Sequence, residues 1–469
     1  MKFFVLSLVT ILQISCATSR VRPATGSAGS TTEKAVEGLV RHKLSNGIVV
    51  LAKEDHTVPM VSYRTCFRVG SVDEKPGLTG MAHLFEHLMF KGTETEGPKP
   101  FFEKLEKKGA EVNALTTNDY TCYYVNASKQ LLPTIIELDS DRLLRMAVTE
   151  SELDIEKHVV LEERLYRIES VPGARMQETL WGHLFRKHPY RFPTSGVPQD
   201  LLSVRVEDLT DFWKEHYHAA TLAITVVGDF STPDLMDALE KAYGSVPKNP
   251  LPPRNFETDD ALSAEKRVEL FDQVPTESVL IGYPITEAGH SDSYPLDLLS
   301  MILFQGTSSR GTHRLVEEQQ SALDVSASSF TPKYPGVFTI GATTRKPFTT
   351  EQLLEEIDRI VRDVAEKGVT DEEVQTARKR LSLGVYRQLA TPDGFAANAA
   401  TVEMILGDGR RYHEDLERYA EVTREDIRRV AKRYLDRIGR VVVIMRPKAL
   451  SASAAGAGGG VGGNAGGNR

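Results

Sequence analysis

The chain has 469 residues, of which 41% are hydrophobic and 26% are charged, as is ordinary for globular proteins. This length is enough for two or more domains, each with its own core. The formal net charge of −8 leaves no basic excess to neutralise phosphates, which argues against nucleic acid as a partner.

The N-terminal residues, MKFFVLSLVTILQISCATSR, combine one lysine, an apolar run and then small residues. This pattern is typical of a secretory signal and is too short for a membrane-spanning helix. Two endings are open: a signal at 1–17 that is cleaved after Ala17, or a lipoprotein signal at 1–15 with a lipid anchor on Cys16. Both predict export in a bacterium, to the periplasm or to an anchor in the outer membrane. Residues 18–37 are predicted to be a flexible tether.

Two further cysteines, Cys66 and Cys122, lie in the strand-like stretches YRTCFRV and YTCYYV. A single disulfide and two buried free thiols both fit the sequence. The chain has no CxxC pair, which argues against a redox motif or a zinc ribbon.

The next segment, MAHLFEHLMFKGT, is predicted to be a helix. Thr79 is a candidate N-cap, no proline follows for eleven residues, and Gly92 is a candidate end. The runs GIVVLAKED and MVSYRTCFRV before it alternate as strands do.

Three side chains on this helix suggest chemistry. His83 and His87 are four residues apart and share a face, so that both imidazoles can bind one zinc ion. Glu86 lies beside them, where a carboxylate can act as a base for a metal-activated water. Two surface histidines and a solvated glutamate would produce the same sequence pattern. A zinc site at this helix therefore requires a third ligand.

A third ligand is available in DIEKHVVLEERLYRIE. Glu156 and Glu163 are seven residues apart, two helical turns, and share a face, whereas Glu162 points elsewhere. Five other histidines do not form such a set: His216 and His218 are two apart, and His158, His183 and His188 have no second ligand at a useful spacing.

The remaining pattern predicts two similar domains. The segments Val204–Asp229 and Val422–Pro447 align without gaps, each as a capped amphipathic helix followed by an apolar strand. A Pro-rich linker at 246–266 separates domains at 38–245 and 267–447. Each is predicted to be α+β, a mainly antiparallel sheet covered by helices such as TEQLLEEIDRIVRDVAEKG. The Gly/Ala-rich tail at 448–469 is predicted to be disordered.

HLFEH, with Glu163 following His87 by 76 residues and Glu156 one heptad earlier, resembles the pitrilysin/insulinase family of zinc peptidases, the inverzincins. The resemblance is closest to the bacterial and mitochondrial-processing-peptidase-like branch. It runs from about Gly38 to Pro447 and includes GLTGMAHLFEHLMFKGT, EVNALTTNDYTCYY and HPYRFPTSGVPQDL.

The resemblance implies one zinc ion per chain, held by His83, His87 and Glu163. It implies that Glu86 is the general base, and that Glu156 is an acidic residue of the catalytic site that orients a histidine. The expected activity is zinc-dependent cleavage of short or unfolded polypeptides inside a clamshell of two domains.

The family also holds its peptide substrate on an edge strand, by β-augmentation. By resemblance that strand is Asn113-Ala114-Leu115-Thr116, with Asn113 and Ala114 as substrate-binding residues. Without the family match, Asn113 would be interpreted as a turn residue that opens the strand.

The second half departs from active members of the family, which carry an arginine and a tyrosine seven residues apart. Here Glu317 falls at the arginine position and Asp324 at the tyrosine position, and neither carboxylate can donate the hydrogen bonds of those groups. This resembles a zinc-carrying subunit that needs a zinc-less homologous partner to supply the Arg/Tyr pair in a heterodimer. The alternative is a non-catalytic scaffold subunit.

Overall fold

The computed structural model of the chain describes residues 38–94 and 100–448, which form two β-sheets and the helices that cover them. The strands are β1 (Val40–Lys43), β2 (Val49–Glu54), β3 (Met60–Phe67), β4 (Glu111–Thr116), β5 (Thr121–Ser128), β6 (Leu222–Gly228), β7 (Lys266–Asp272), β8 (Ser278–Pro284), β9 (Ala322–Phe330), β10 (Val337–Thr344) and β11 (Val441–Pro447). The α-helices are α1 (Met81–Leu88), α2 (Pro100–Glu106), α3 (Leu132–Arg145), α4 (Glu150–Arg164), α5 (Pro172–Leu184), α6 (Pro198–Ser203), α7 (Val206–His216), α8 (Thr232–Tyr243), α9 (Ser293–Phe304), α10 (Thr350–Lys367), α11 (Asp371–Leu389), α12 (Pro392–Leu406), α13 (Tyr412–Glu421) and α14 (Arg424–Tyr434).

Several predictions from the sequence concern residues outside these ranges. They are the signal at 1–17, the tether at 18–37 and all but the first residue of the tail at 448–469. Within the described ranges, none of the helices has the length and apolar character that crossing a membrane requires.

The two sheets share one strand arrangement. The order is β1-β2-β6-β3-β5-β4 in the first sheet and β7-β11-β8-β10-β9 in the second. Each sheet has one parallel pair, β2 with β6 and β7 with β11, and its other neighbours are antiparallel. Apart from β1, every strand has a counterpart at the same place in the other sheet. The predicted α+β class, a clamshell of two similar and mainly antiparallel halves, is confirmed.

The repeat seen in the sequence occupies equivalent places in the two halves. Helices α7 and α14 are both 11 residues long, and they precede β6 and β11. These two strands lie inside their sheets and are almost wholly buried. A strand buried on both faces needs an apolar side chain at nearly every position, which is why LAITVVG and VVVIM look alike.

One helix from each half packs on the sheet of the other half. Helix α5 packs on β8 and β11 of the second sheet through Leu180 and Leu184. Helix α12 packs on β3 and β6 of the first sheet, where Phe395 and Ala399 are buried. The exchanged helices cover the face of each sheet that the helices of its own half leave open.

A buried ionic cluster ties α12 to the first half. Glu403, which is 0% exposed, accepts two hydrogen bonds from Arg41 at 3.0 and 3.1 Å and one from Arg68 at 3.3 Å. The backbone amide of Gly409 donates to the same carboxylate at 2.9 Å. The charge of Glu403 is therefore compensated from both halves of the chain, as a buried carboxylate requires.

Cys66 and Cys122 face each other across β3 and β5 and form a disulfide. Both are buried under α12, beside Ala400 and Met404. The sequence fits either a disulfide or two buried free thiols, and the structure has the disulfide.

The local predictions for β2, β3 and α10 are confirmed, including the end of α10 at Gly368 with a φ of 79°. Between Tyr243 and Lys266 the chain has no helix or strand, in keeping with a linker at 246–266. The domain limits of 38–245 and 267–447 stay predictions.

Candidate metal centre and active site

Helix α1 starts after Gly80, whose φ of 87° is in the region that favours glycine. The carboxylate of Glu74 accepts hydrogen bonds from two amides at the helix start, at 2.7 and 2.9 Å. The prediction that Thr79 caps this helix is wrong, because its hydroxyl donates to Asp200 at 2.6 Å. An upstream carboxylate satisfies the free amides and complements the positive end of the helix.

The apolar face of α1 fixes the direction of the two histidines. Leu84 and Leu88 are fully buried in the first core, and His83 and His87 lie on the partly exposed face. The prediction that the helix runs on to Gly92 is wrong, because a tight turn follows Leu88 directly. One buried side and one open side are what a helix that carries metal ligands needs.

Helix α4 supplies the acidic side of the site. It begins with a capping box and presents Glu156 and Glu163 on one face towards α1, as their spacing predicts. Glu162 is exposed. A π-helical turn, Leu165–Glu169, follows α4 directly, and such turns are frequent at functional sites.

Three potential ligand atoms converge between the two helices. Nε2 of His87 lies 3.2 Å from Oε2 of Glu163, and Nε2 of His83 lies 4.0 Å from the same oxygen. The two imidazole rings are edge to face with centroids 4.8 Å apart. In the described part of the chain, these residues form the one group of three His, Cys, Asp or Glu side chains close enough to share a metal ion.

This donor set fits zinc. Tetrahedral coordination with bonds of about 2.0–2.2 Å separates two ligand atoms by about 3.4 Å. The observed separations from Glu163 bracket that distance. Two imidazole nitrogens and one carboxylate oxygen leave a fourth position for water, the pattern of catalytic rather than closed structural zinc sites.

A second carboxylate orients one of the histidines. Nδ1 of His87 lies 3.0 Å from Oε1 of Glu156, and Nζ of Lys91 lies 2.5 Å from the other oxygen of that carboxylate. Glu156 is 2% exposed. A hydrogen bond of this kind fixes the tautomer that leaves Nε2 free for a metal. Nδ1 of His83 is also buried but has no hydrogen-bond partner among the described residues.

Glu86 lies on α1 beside the three ligand atoms, and its carboxylate accepts a hydrogen bond from the hydroxyl of Thr116 on β4. Strand β4 is the outer strand of the first sheet, as the resemblance implies. Asn113 pairs with Tyr124 of β5, and Ala114 is buried on the side that packs against α1. The candidate base and the candidate substrate strand are therefore in direct contact.

The two histidines of α1 have pKa values shifted in opposite directions. Burial lowers the pKa of His83 to about 4, and the charge of His87 acts in the same direction. Burial also acts to lower the pKa of His87, but hydrogen bonds to Glu156 and Glu163 outweigh it and raise that pKa to about 9. Because a metal ion would need His87 neutral, binding it would release a proton.

The carboxylates of Glu86 and Glu163 also have pKa values shifted in opposite directions. Burial raises the pKa of Glu86 to about 7. Burial favours a raised value for Glu163 too, but its hydrogen bond with His87 and the charge of His83 lower that pKa to about 2. Carboxylates whose environments push their pKa values apart suit different roles, here proton transfer for Glu86 and metal binding for Glu163.

Two family models match the chain, one in each half. The model described as insulinase (peptidase family M16) matches residues 49–196, and the model described as the peptidase M16 inactive domain matches residues 203–381. The chain belongs to the insulinase family, peptidase family M16. The resemblance drawn from HLFEH and Glu163 is confirmed.

Its insulinase-family relatives are similar over most of their length. The uncharacterized zinc protease YmxG of Bacillus subtilis is 25% identical over 398 residues, which cover 84% of this chain and 94% of the relative. The zinc protease PqqE of Helicobacter pylori is 24% identical over 408 residues, or 86% of this chain and 92% of the relative.

Solved structures share the fold. A protease from Helicobacter pylori superposes with a TM-score of 0.81 at 22% identity and covers 87% of this chain and 99% of its own. A peptidase M16 inactive domain from Pseudomonas fluorescens has a TM-score of 0.80 at 18% identity, with coverages of 88% and 98%.

Among the described residues of the second half, up to 448, this insulinase-family chain has no counterpart of the metal group. Helices α4 and α11 are equivalent in the two halves, and each starts with a capping box, at Thr149 and Thr370. Counted from these caps, Glu163 corresponds to Gly384. Because glycine has no side chain, the equivalent of the metal helix in the second half cannot supply this ligand.

The other residues singled out from the sequence are not members of the metal group. Glu317 lies in a π-helical turn, Thr312–Glu318, and Asp324 lies on β9, and both side chains are exposed. His158, His183, His188, His216 and His218 take no part in the metal group.

Three functional contacts were missed by the sequence analysis. Lys91 pairs with Glu156, Arg167 lies 2.7 Å from Glu163, and Thr116 bonds Glu86. Helical spacing carries a signal for the second, since Arg167 follows Glu163 by four residues, whereas Lys91 lies beyond the end of α1. The contact of Thr116 joins a strand to a helix 30 residues away, and no local pattern indicates it.

Proposed function

We propose that this chain is a zinc-dependent endopeptidase that cleaves short or unfolded polypeptides. The observation that carries the proposal is the convergence of His83, His87 and Glu163 with Glu86 beside them. The names of the relatives as zinc proteases support it. One zinc ion per chain is expected.

Each side chain has a distinct role in this mechanism. The zinc ion supplies, when bound, a lowered pKa for a coordinated water and polarisation of the scissile carbonyl. The carboxylate of Glu86 takes a proton from the attacking water and delivers it to the leaving amine. Glu156 holds His87 through Nδ1 and keeps its Nε2 directed at the metal position.

The substrate is an extended peptide that adds to the outer edge of β4. An unpaired strand edge offers backbone donors and acceptors to any extended chain, so recognition depends on shape and backbone more than on side chains. In this arrangement Asn113 and Ala114 contact the peptide close to Glu86. Such pairing requires a segment that is short or unfolded.

The chain works with a homologous, zinc-less subunit in this proposal. Glu317 and Asp324 stand where active members carry an arginine and a tyrosine, and an exposed carboxylate at either place cannot donate a hydrogen bond to a substrate. The partner supplies that pair. The site of action is the periplasm, or the outer membrane if Cys16 carries a lipid, and the disulfide between Cys66 and Cys122 suits an oxidising compartment.

The test is an assay of the purified chain with zinc on unfolded peptides, with and without candidate partner subunits. We expect cleavage that depends on the partner and that Glu86→Gln abolishes, with Glu162→Gln as the matched control. Strong cleavage by the chain alone would overturn the need for a partner. The non-catalytic scaffold predicts a different result, a purified protein that binds no zinc.

A further inference from the structure

The carboxylate of Glu86 is fixed by one neighbouring side chain. The hydroxyl of Thr116 donates a hydrogen bond to Oε2 of Glu86, and among the described residues it is the one side chain that does so. Glu86 is 9% exposed, so water has little access to take the place of this donor. The direction of the carboxylate therefore depends on where Thr116 stands.

Thr116 is held by the sheet rather than by a loop. It is the last residue of β4 and pairs with Thr121 of β5, whose hydroxyl donates to the carbonyl of Val69 on the far side at 2.9 Å. Two residues earlier, Ala114 is 4% exposed where β4 packs against α1. A group held by such a scaffold is positioned more exactly than one on a mobile segment.

The same strand presents its free edge next to this contact. The backbone amide of Ala114 donates to the side chain of its neighbour Asn113 at 2.8 Å. No other strand of the described chain pairs with β4 on its outer side. A peptide on that edge and the carboxylate of Glu86 would therefore be located by one short piece of backbone, Ala114–Thr116.

We infer that Thr116 is a positioning residue, whose hydroxyl sets the direction of the Glu86 carboxylate relative to a peptide bound on β4. The inference rests on the proposed peptidase function and deepens it. Thr116 does not touch the reacting atoms, and it acts through Glu86. The free oxygen, Oε1, is then the one that exchanges protons with water and the leaving amine.

Two substitutions separate the hydroxyl from the shape of the side chain. Thr116→Val keeps the branched shape and removes the donor, and Thr116→Ser keeps the donor. We expect Thr116→Val to lower kcat by about 10-fold to 100-fold with an unchanged KM, because misplacing a reacting group costs rate rather than substrate affinity. Thr116→Ser restores most of the rate. Zinc content and Tm stay at the wild-type values in both variants.

A matched control is available in the same sheet. Thr225 on β6 is buried, and its hydroxyl has no hydrogen-bond partner among the described residues. Thr225→Val makes the same chemical change without touching Glu86. It is expected to leave kcat unchanged.

Calorimetry gives a readout that is independent of turnover. A phosphinic peptide mimics the tetrahedral transition state, and a reduced-amide peptide of the same sequence keeps the flanking residues but has no oxygen at the cleavage position. Thr116→Val is expected to raise the Kd of the phosphinic peptide about 10-fold and to leave the Kd of the reduced-amide peptide unchanged. The reason is that only the phosphinic peptide presents an oxygen to Glu86.

The outcomes distinguish this inference from the proposed function. If Thr116→Val keeps the wild-type kcat and phosphinic affinity, or if Thr116→Ser loses as much as Thr116→Val, the role of the hydroxyl is overturned while the peptidase stands. If the zinc-loaded wild type, with its partner present, neither cleaves peptides nor prefers the phosphinic one, both proposals are overturned.

Discussion

Nδ1 of His87 lies 3.0 Å from Oε1 of the nearly inaccessible carboxylate of Glu156, whose other oxygen lies 2.5 Å from Nζ of Lys91. A chain of contacts therefore runs from a half-exposed lysine to an imidazole that faces the metal position. These contacts between side chains orient His87 towards the metal position.

The first prediction concerns Glu156. Glu156→Gln replaces a charged acceptor by an amide and removes the partner of Lys91, so we expect the zinc Kd to rise about 10-fold to 100-fold. Competition with a fluorescent chelator measures it. The exposed Glu162 on the same helix is the control, and Glu162→Gln should keep the wild-type Kd. Equal affinities for all three proteins would contradict the orienting role.

The second prediction separates metal binding from proton transfer. Glu163→Gln removes the anionic ligand and should abolish both zinc binding and peptide cleavage. Glu86→Gln should keep the zinc, but its rate of peptide cleavage should fall by about 10²-fold to 10⁴-fold, the usual contribution of a general acid–base residue. Metal analysis and the peptide assay on the same preparations test both. The assignment fails if Glu163→Gln retains a full equivalent of zinc.

The third prediction tests the buried ionic cluster that joins the two halves at Glu403. Glu403→Gln leaves Arg41 and Arg68 facing a neutral amide in a buried place, so we expect the free energy of unfolding to fall by about 3 kcal/mol. Urea denaturation measures it. Glu417→Gln, at an exposed position on α13, is the control and should change little. An unchanged stability of Glu403→Gln would mean that the charge of Glu403 does not help to hold the exchanged helix.

The fourth prediction concerns the disulfide. Cys66 and Cys122 are separated by 56 positions, and closing a loop of that size stabilises a folded chain by up to about 4 kcal/mol through the unfolded state. The double variant Cys66→Ala/Cys122→Ala should lose most of that stability in urea. Non-reducing digestion followed by mass spectrometry should recover the two cysteine peptides joined. Recovery as separate peptides would contradict the cross-link.

The fifth prediction is a pH dependence in the second half. Burial raises the pKa of Asp297 on α9 to about 6, although the hydroxyl of Tyr419 donates to it at 2.5 Å. An unfolded chain gives an aspartate a pKa of about 4, so the folded state binds the extra proton between pH 4 and pH 6. The stability that this group contributes is therefore present below pH 4 and lost as the pH rises through 6.

Asp297→Asn removes that loss. Its free energy of unfolding should match the wild type near pH 4 and exceed it at pH 8 by up to about 3 kcal/mol, the value of two pKa units. Urea unfolding at the two pH values measures the difference. Asp211→Asn, at an exposed position, serves as the control. A variant that is less stable than the wild type at pH 8 would contradict the shift.

The spacing of residues along the sequence was enough to predict which side chains share a helix face and that the chain has two similar halves. His83 and His87, four apart, and Glu156 and Glu163, seven apart, converge because a helix has a fixed period. The repeated helix and strand around 204–229 and 422–447 predicted two similar halves, because a buried strand demands an apolar run wherever it occurs.

Contacts between distant segments could not be predicted in this way. An apolar stripe on α5 or α12 indicates burial, but it does not say which of two similar sheets the helix covers. The free amides at the start of α1 are capped by Glu74 and not by Thr79, which the local pattern predicts. Any well-placed acceptor can satisfy such amides, wherever it lies in the sequence. Thr116 meets Glu86 only because β4 lies at the edge of the sheet beside α1.

Anomalous X-ray diffraction at the zinc absorption edge, on crystals grown with zinc, tests the central claim most directly. The account predicts one strong peak within about 2.0–2.2 Å of Nε2 of His83, Nε2 of His87 and a carboxylate oxygen of Glu163. Zinc that binds elsewhere, or a structure whose density shows these three side chains turned away from one another with no peak between them, would contradict it.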